Sequence, residues 1–262
     1  MIRLAHLSDI HFGGENVAAT QAALERVAAE APDAVIVSGD ITQFGEKAEF
    51  AAAAAWLARL PAPVLTIPGN HDAPYLAWYE RFFTPFARYE KAVGAADRCD
   101  LRIPGLAVYG LNTARGVQPR ANWSKGQISK AQVDRAVAWF AQVPEPTARI
   151  LVCHHPLLEM IGGPMTGRVW GGTQAAERLA QARVDLVLTG HIHAPFVWPY
   201  PFGDGNTLGV GAGTLSMRER GVPPGFNLIE IDELEIRVIA LAFERVAFQP
   251  FRTWSTPRRP PA

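Results

Sequence analysis

Apolar residues gather in short runs along the chain, and five of those runs stop at a polar island. Residues 4–8, 34–38, 64–67, 150–153 and 186–189 lead into Asp9-Ile10-His11, Gly39-Asp40, Gly69-Asn70-His71-Asp72, His154-His155-Pro156 and Gly190-His191-Ile192-His193. Runs of this length bounded by turn residues predict buried strands, so each island sits where a strand ends. Helical patterns fall between them. Residues 16–31 are Ala-rich with Val17, Leu24 and Val27, and 46–60 repeat the theme. Residues 123–143 predict another helix, with Ser124 as N-cap and Gln127 at capping-box spacing, and 173–182 a shorter one. A further strand is predicted over 106–111. Strands alternating with helices predict βαβ units.

The last third changes character. Residues 208–213, 225–232 and 235–243 read as strands with turns and no helix between them, as antiparallel members at one edge of a mixed sheet would. Residues 1–248 are expected to form one domain. Residues 249–262 carry Pro250, Pro257, Pro260 and Pro261 with Arg252, Arg258 and Arg259, and are expected to be an extended, partly mobile tail.

A chain of 262 residues can bury a core without staples. Two cysteines, Cys99 and Cys153, are too few for a disulfide framework, so a reducing, cytoplasmic setting is expected. The start, Met1-Ile2-Arg3-Leu4, runs directly into the first strand, and neither a signal peptide nor a membrane span is read. The 25 basic and 25 acidic residues balance, which argues against capture of nucleic acid or an anionic membrane by overall charge.

The chemistry lies in the islands. In open α/β sheets the carboxyl ends of the strands are where ligands bind. Two carboxylates, an amide and several imidazoles gathered there suit divalent first-row metals such as Mn, Fe or Zn. Asp9 and His11, like His191 and His193, stand two apart and can point the same way from a strand end. Strand alternation would aim only one of His154 and His155 at such a site. Asp72 reads either as the carboxylate that orients His71 or as a helix N-cap. His6, an alternating strand residue, reads as buried structure.

In this order, D-x-H, G-D, G-N-H-D, H-H-P and G-H-x-H resemble the calcineurin-like metallophosphoesterase superfamily. The resemblance implies an α/β fold, a two-sheet α-β-β-α sandwich with mixed sheets. It also implies two divalent metals that generate a bridging hydroxide for in-line attack on a phosphate ester. By resemblance, Asp9 and His11 hold the first metal, Asp40 bridges both, Asn70 serves the second, His154 is a further ligand, His191 completes the second and His193 the first. His71 then belongs to the substrate, steadying phosphoryl oxygens and protonating the leaving alkoxide, and His155 belongs to the second coordination layer or the pocket wall.

The opening His6-Leu7-Ser8-Asp9-Ile10-His11-Phe12-Gly13 and the compact length resemble the bacterial cyclic-nucleotide phosphodiesterase branch. Cyclic nucleotides or small diesters are the expected substrates. Monoester or nucleotide pyrophosphate hydrolysis is the alternative within the superfamily. A nuclease would want a larger capping region and a basic face. A non-catalytic scaffold of the same fold would be expected to lose ligands, and none is missing. Diesters are expected to react faster than monoesters, because few cations beyond the metals are apparent. Asn112 and Arg115, behind the 106–111 run, could reach the rim. Arg168 and Trp170, in residues 162–172, read either as ordinary surface loop or as a wall where Arg168 meets phosphate and Trp170 stacks on a base. Self-association is left open.

Overall fold

The computed structural model describes residues 1–159 and 169–260. In chain order the first half runs β1 (Ile2–Leu7), α1 (Val17–Glu30), β2 (Ala34–Val37), α2 (Lys47–Leu57), β3 (Val64–Thr66), α3 (Trp78–Phe83), α4 (Ala87–Ala92), β4 (Arg98–Ile103) and β5 (Leu106–Leu111). It continues with α5 (Lys130–Phe140), β6 (Ala148–Val152), α6 (Gly172–Gln181), β7 (Leu186–Thr189), β8 (Phe196–Pro199), β9 (Leu208–Gly211), β10 (Gly225–Ile231), β11 (Glu235–Glu244) and β12 (Ala247–Pro257).

Two six-stranded sheets result, in the orders β12-β11-β10-β1-β2-β3 and β4-β5-β6-β7-β9-β8. The strands that carry the islands are parallel neighbours, β1-β2-β3 in one sheet and β6-β7 in the other. Their carboxyl ends therefore share a rim. Period-two alternation explains why these runs are apolar at every position. In β2, Val35 and Val37 pack into the core beneath α1 and α2, while Ala34 and Ile36 face the second sheet. In β6, Ile150 and Val152 face the first sheet and Leu151 faces α5 and α6. Both faces of each strand are covered, giving helix, sheet, sheet, helix in layers, as the sequence resemblance implies.

Three sequence expectations change. The helix expected over 123–143 begins only at Lys130, because the sequence offers Ser-x-x-Gln twice and the second copy caps it. Ser129 Oγ accepts from Gln132 N at 3.2 Å and Gln132 Oε1 accepts from Ser129 N at 3.0 Å. Second, the segment read as a mobile tail is an edge strand. Residues 249–257 pair along β11, and a bulge at Ala240/Leu241 takes up one extra residue beside Pro250. Beyond it, Arg259 grips both carboxylate oxygens of Asp204 at 2.6 and 3.0 Å. Third, the strands of the last third do not share one antiparallel edge, since β9 pairs parallel with β7 in the second sheet while β10 and β11 are antiparallel members of the first.

Candidate metal centre

Each island lies just past the end of its strand, and in the first, second and fifth the backbone is strained. Asp9, His11, Asp40, His191 and His193 adopt φ values of +52°, +54°, +50°, +67° and +61°. They are five of the eight described non-glycine residues with positive φ. Such conformations cost roughly 1–3 kcal/mol each and persist only where surrounding bonds enforce them. The paired ligands therefore converge through left-handed turns, not through the strand alternation inferred from sequence. The intervening Ile10 and Ile192 are buried.

The enforcing bonds divide each polar group into a tied atom and a free one. Asp9 Oδ2 accepts the His191 amide at 2.9 Å, and Asp40 Oδ1 accepts the His71 amide at 2.7 Å. Their other oxygens face imidazoles, with Asp9 Oδ1 3.1 Å from His193 Nε2 and Asp40 Oδ2 3.2 Å from His154 Nε2. His154 Nδ1 donates to Ser38 O at 2.8 Å and His193 Nδ1 to Arg218 O at 2.7 Å, so each ring turns Nε2 inward. A carbonyl partner on the outer nitrogen is how proteins orient a metal-binding imidazole. His11 Nε2 completes one corner, 3.4 Å from His193 Nε2 and within 3.9 Å of both carboxylates.

Asp9 Oδ1, Asn70 Oδ1 and His154 Nε2 are buried without hydrogen-bond partners. Buried polar atoms normally find partners, and these have the chemistry of cation ligands. The ligating atoms of Asp9, His11 and His193, and of Asp9, Asp40 and His154, each lie within 4.8 Å of one another. His191 groups in the same way with His154 and His155. The donor set therefore fits divalent metal ions.

Electrostatics agree with a centre built for cations. Burial opposes charge on Asp9 and Asp40, yet His193 beside one and His154 beside the other hold both well below the usual carboxylate range. Burial likewise opposes the imidazolium of His154, but the Asp40 carboxylate outweighs it and lifts that group to about 9. Burial holds His11 and His191 down at about 3, as neutral imidazoles able to ligate.

The remaining sequence candidates separate clearly. His155 uses both nitrogens, Nε2 donating to Ser124 O at 2.7 Å and Nδ1 meeting Thr113 Oγ1 at 2.8 Å, so it forms wall. Asp72 does not orient His71. Its carboxylate accepts from the amides of Gly69, Ile41 and Thr42 and from Thr42 Oγ1, tying the third island to the second. Burial, then the nearby Asp40 charge, pushes Asp72 up to about 7 despite those donors. The group that orients His71 is the Gln43 carbonyl, 2.7 Å from Nδ1.

Asn112 and Arg115 do not reach substrate space either. Asn112 Oδ1 closes a turn on Ala114 N, while Arg115 bonds the Asn112 and Ala114 carbonyls and Gln132 Oε1. Trp170 stacks under the chain's own Arg120 guanidinium at 4.4 Å. Arg168 lies outside the described residues. His6 is buried against Ser38 Oγ at 2.9 Å, as structure.

Sequence reading passed over the groups that do line the approach. A cavity of about 460 Å³ opens beside Asn70 and His71, bounded by Tyr75, Trp78, Trp123 and Arg218 among others. Arg218 Nη1 is 2.9 Å from His71 Nε2. The one available signal was Arg218-Glu219-Arg220 behind the β9 run, which has the spacing of the D-x-H island.

Comparison with known proteins agrees with this geometry. The sequence model of the calcineurin-like phosphoesterases matches residues 2–195. A protein named probable cyclic nucleotide phosphodiesterase from Synechococcus sp. is 24% identical over 245 residues, 88% of each chain. A solved dimetal phosphatase from Danio rerio superposes with a TM-score of 0.69 at 12% identity, covering 98% of this chain and 99% of that one. A purple acid phosphatase from yellow lupin (Lupinus luteus) gives 0.73 at 12% identity over 98% of this chain, which spans 54% of that longer protein. These structural likenesses concern the fold alone. The chain belongs to the calcineurin-like phosphoesterase family and is a metal-dependent phosphoester hydrolase.

Proposed function

We propose that the chain hydrolyses small phosphodiesters, cyclic nucleotides among them, with two divalent ions drawn from Mn, Fe and Zn. Asp9, His11, Asp40 and His193 would hold the first ion, and Asp40, Asn70, His154 and His191 the second. The observation that carries this reading is that Asp9, Asn70 and His154 bury unpartnered ligand atoms at strand ends, where Asp9, His11, Asp40, His154, His191 and His193 supply overlapping triads of ligand atoms within 4.8 Å of one another. The diester preference draws on the printed name of the Synechococcus relative.

When bound, the ions supply Lewis acidity toward the phosphoryl oxygens and an activated water as nucleophile. The protein's own groups do the rest. The tied oxygens of Asp9 and Asp40 fix the direction of the free ones. The Gln43 carbonyl can only accept, so His71 Nδ1 carries a hydrogen and Nε2 is turned to the cavity, where a proton on it would be placed for the leaving alkoxide. Trp78, Trp123 and Tyr75 give the alcohol portion of the ester an apolar wall. Phosphodiesterase activity would be tested on metal-reconstituted protein with a panel of cyclic nucleotides, a glycerophosphodiester, an aryl diester and matching monoesters. Turnover of diesters is expected. Turnover confined to monoesters would overturn the diester assignment.

A further inference from the structure

Two arginines stand beside the centre, Arg218 against His71 and Arg220 within electrostatic reach of Asp9 and Asp40. We propose that Arg218, backed by Arg220, is a phosphoryl-oxygen anchor for dianionic groups, so that the same site binds phosphate and hydrolyses monoesters as well as diesters. This rests on the metal-centre reading above and extends its substrate range.

The first support is how Arg218 is delivered. Its carbonyl accepts His193 Nδ1 at 2.7 Å and its amide donates to Ser216 Oγ at 3.2 Å. Ser216 in turn bonds Thr214 Oγ1, which donates to Asp9 O at 2.6 Å. The backbone of Arg218 is thus fastened to two ligand residues, and its guanidinium emerges into the cavity that holds Asn70 and His71. A group held this way loses little freedom when substrate arrives.

The second support is what Arg218 and Arg220 lack. Arg88 is paired with Glu46 and Glu80, and Arg259 with Asp185 and Asp204. Among the described residues, Arg218 has no carboxylate within ion-pair distance, and its side-chain contact is with an imidazole nitrogen, His71 Nε2, which brings no negative charge. Arg220 Nη1 is buried without a partner. Donors withheld from water and left unpaired are costly; an anion entering the cavity would meet Arg218 directly, and Arg220, within electrostatic reach of Asp9 and Asp40, adds its charge from behind. Two divalent ions already exceed the charge of Asp9 and Asp40, and these guanidiniums add to the excess. A phosphate dianion neutralises more of it than a singly charged diester does.

The test uses full-length, metal-loaded protein with inorganic phosphate as the probe. Arg218→Ala is expected to keep the wild-type metal content and to weaken phosphate binding about 10- to 100-fold by calorimetry. kcat/KM for an aryl monoester should fall by a similar factor, and for the matching diester by a smaller one. Arg218→Lys, which keeps the charge, should lose less than Arg218→Ala. Phosphate affinity reduced by less than tenfold, equal losses on both esters, or equal losses in the Lys and Ala variants would overturn the proposal. Wild-type protein that turned over no phosphate ester at all would instead remove the metal-centre reading.

Discussion

The main-chain amide of His191 donates to Asp9 Oδ2 at 2.9 Å, joining the two sheets between residues 182 positions apart. Gly190 makes the approach feasible. A Cβ there would lie 1.8 Å from Ser8 Oγ and 2.4 Å from Asp9 Oδ2. Neither neighbour can retreat, since both sit in the tightly packed rim between the sheets.

Gly190→Ala should therefore push Asp9 out of line while leaving its chemistry intact. A displacement of about 1 Å at such a centre costs on the order of 100-fold in rate. Metal content should fall with it. Elemental analysis beside a diester assay checks this, and full occupancy with activity within threefold of wild type would contradict it.

Metal removal should destabilise the fold. Five ligand residues hold left-handed backbone conformations, and buried ligand atoms have no other partners. Chelated protein is expected to melt lower than reloaded protein. A free ion at a thousandfold excess over its Kd adds about 4 kcal/mol. Melting curves of stripped and Mn-reloaded samples decide it. Coincident curves would argue against a structural share for the ions.

The islands were legible in the sequence because each ligand is covalently tied to the strand that delivers it. Asp9, Asp40 and His191 follow apolar runs within one or two residues, so order and spacing alone locate them. Arg218 was not legible. It reaches the centre through His193, Ser216 and Thr214, a chain of bonds that no local pattern announces. Trp78 and Trp123 were missed for the same reason, since they meet across the cavity from different segments with ring centroids 6.0 Å apart. Asp72 misled in the opposite way. Its neighbour in sequence is His71, but its partners are the amides of Ile41 and Thr42, just past the second island, and of Gly69 on the third. The strand β4 did carry a readable signal, with Cys99, Leu101 and Ile103 alternating against Arg98, Asp100 and Arg102.

The clamp near the chain's end should respond to acid in a defined window. Burial works against the Asp204 carboxylate, but the two-pronged Arg259 contact and Asn206 outweigh it and hold the group at about 2. A carboxyl lowered in the folded state contributes stability that is present above its unfolded value, about 3.9, and lost as pH falls through the folded one. Burial raises the neighbouring Asp185, which acts with the opposite sign, so the comparison must isolate Asp204. Asp204→Asn is expected to be less stable than wild type at pH 6, and the gap should close progressively from pH 4 toward pH 2. Urea unfolding at pH 6, 4 and 3 measures it. A gap that does not change with pH would mean that the Arg259 contact is not held by charge.

His71→Ala should keep both metals yet lose most activity toward esters with poor leaving groups. The ring's nitrogens are engaged by the Gln43 carbonyl and by Arg218, so neither is needed to hold an ion. The bond that His71 gives to the ligand set comes from its main-chain amide to Asp40 Oδ1, which alanine retains. General acid catalysis supplies about 10²–10⁴-fold, and an alkyl ester should lose that much. A nitrophenyl ester, whose leaving oxygen needs little protonation, should lose less. What it still loses reports the share of His71 in steadying the phosphoryl oxygens, directly or by placing Arg218. Steady-state kinetics on the two esters, with metal content measured on the same preparations, separates these roles. Equal losses would remove the acid role, and a drop in bound metal would make His71 part of the ligand set.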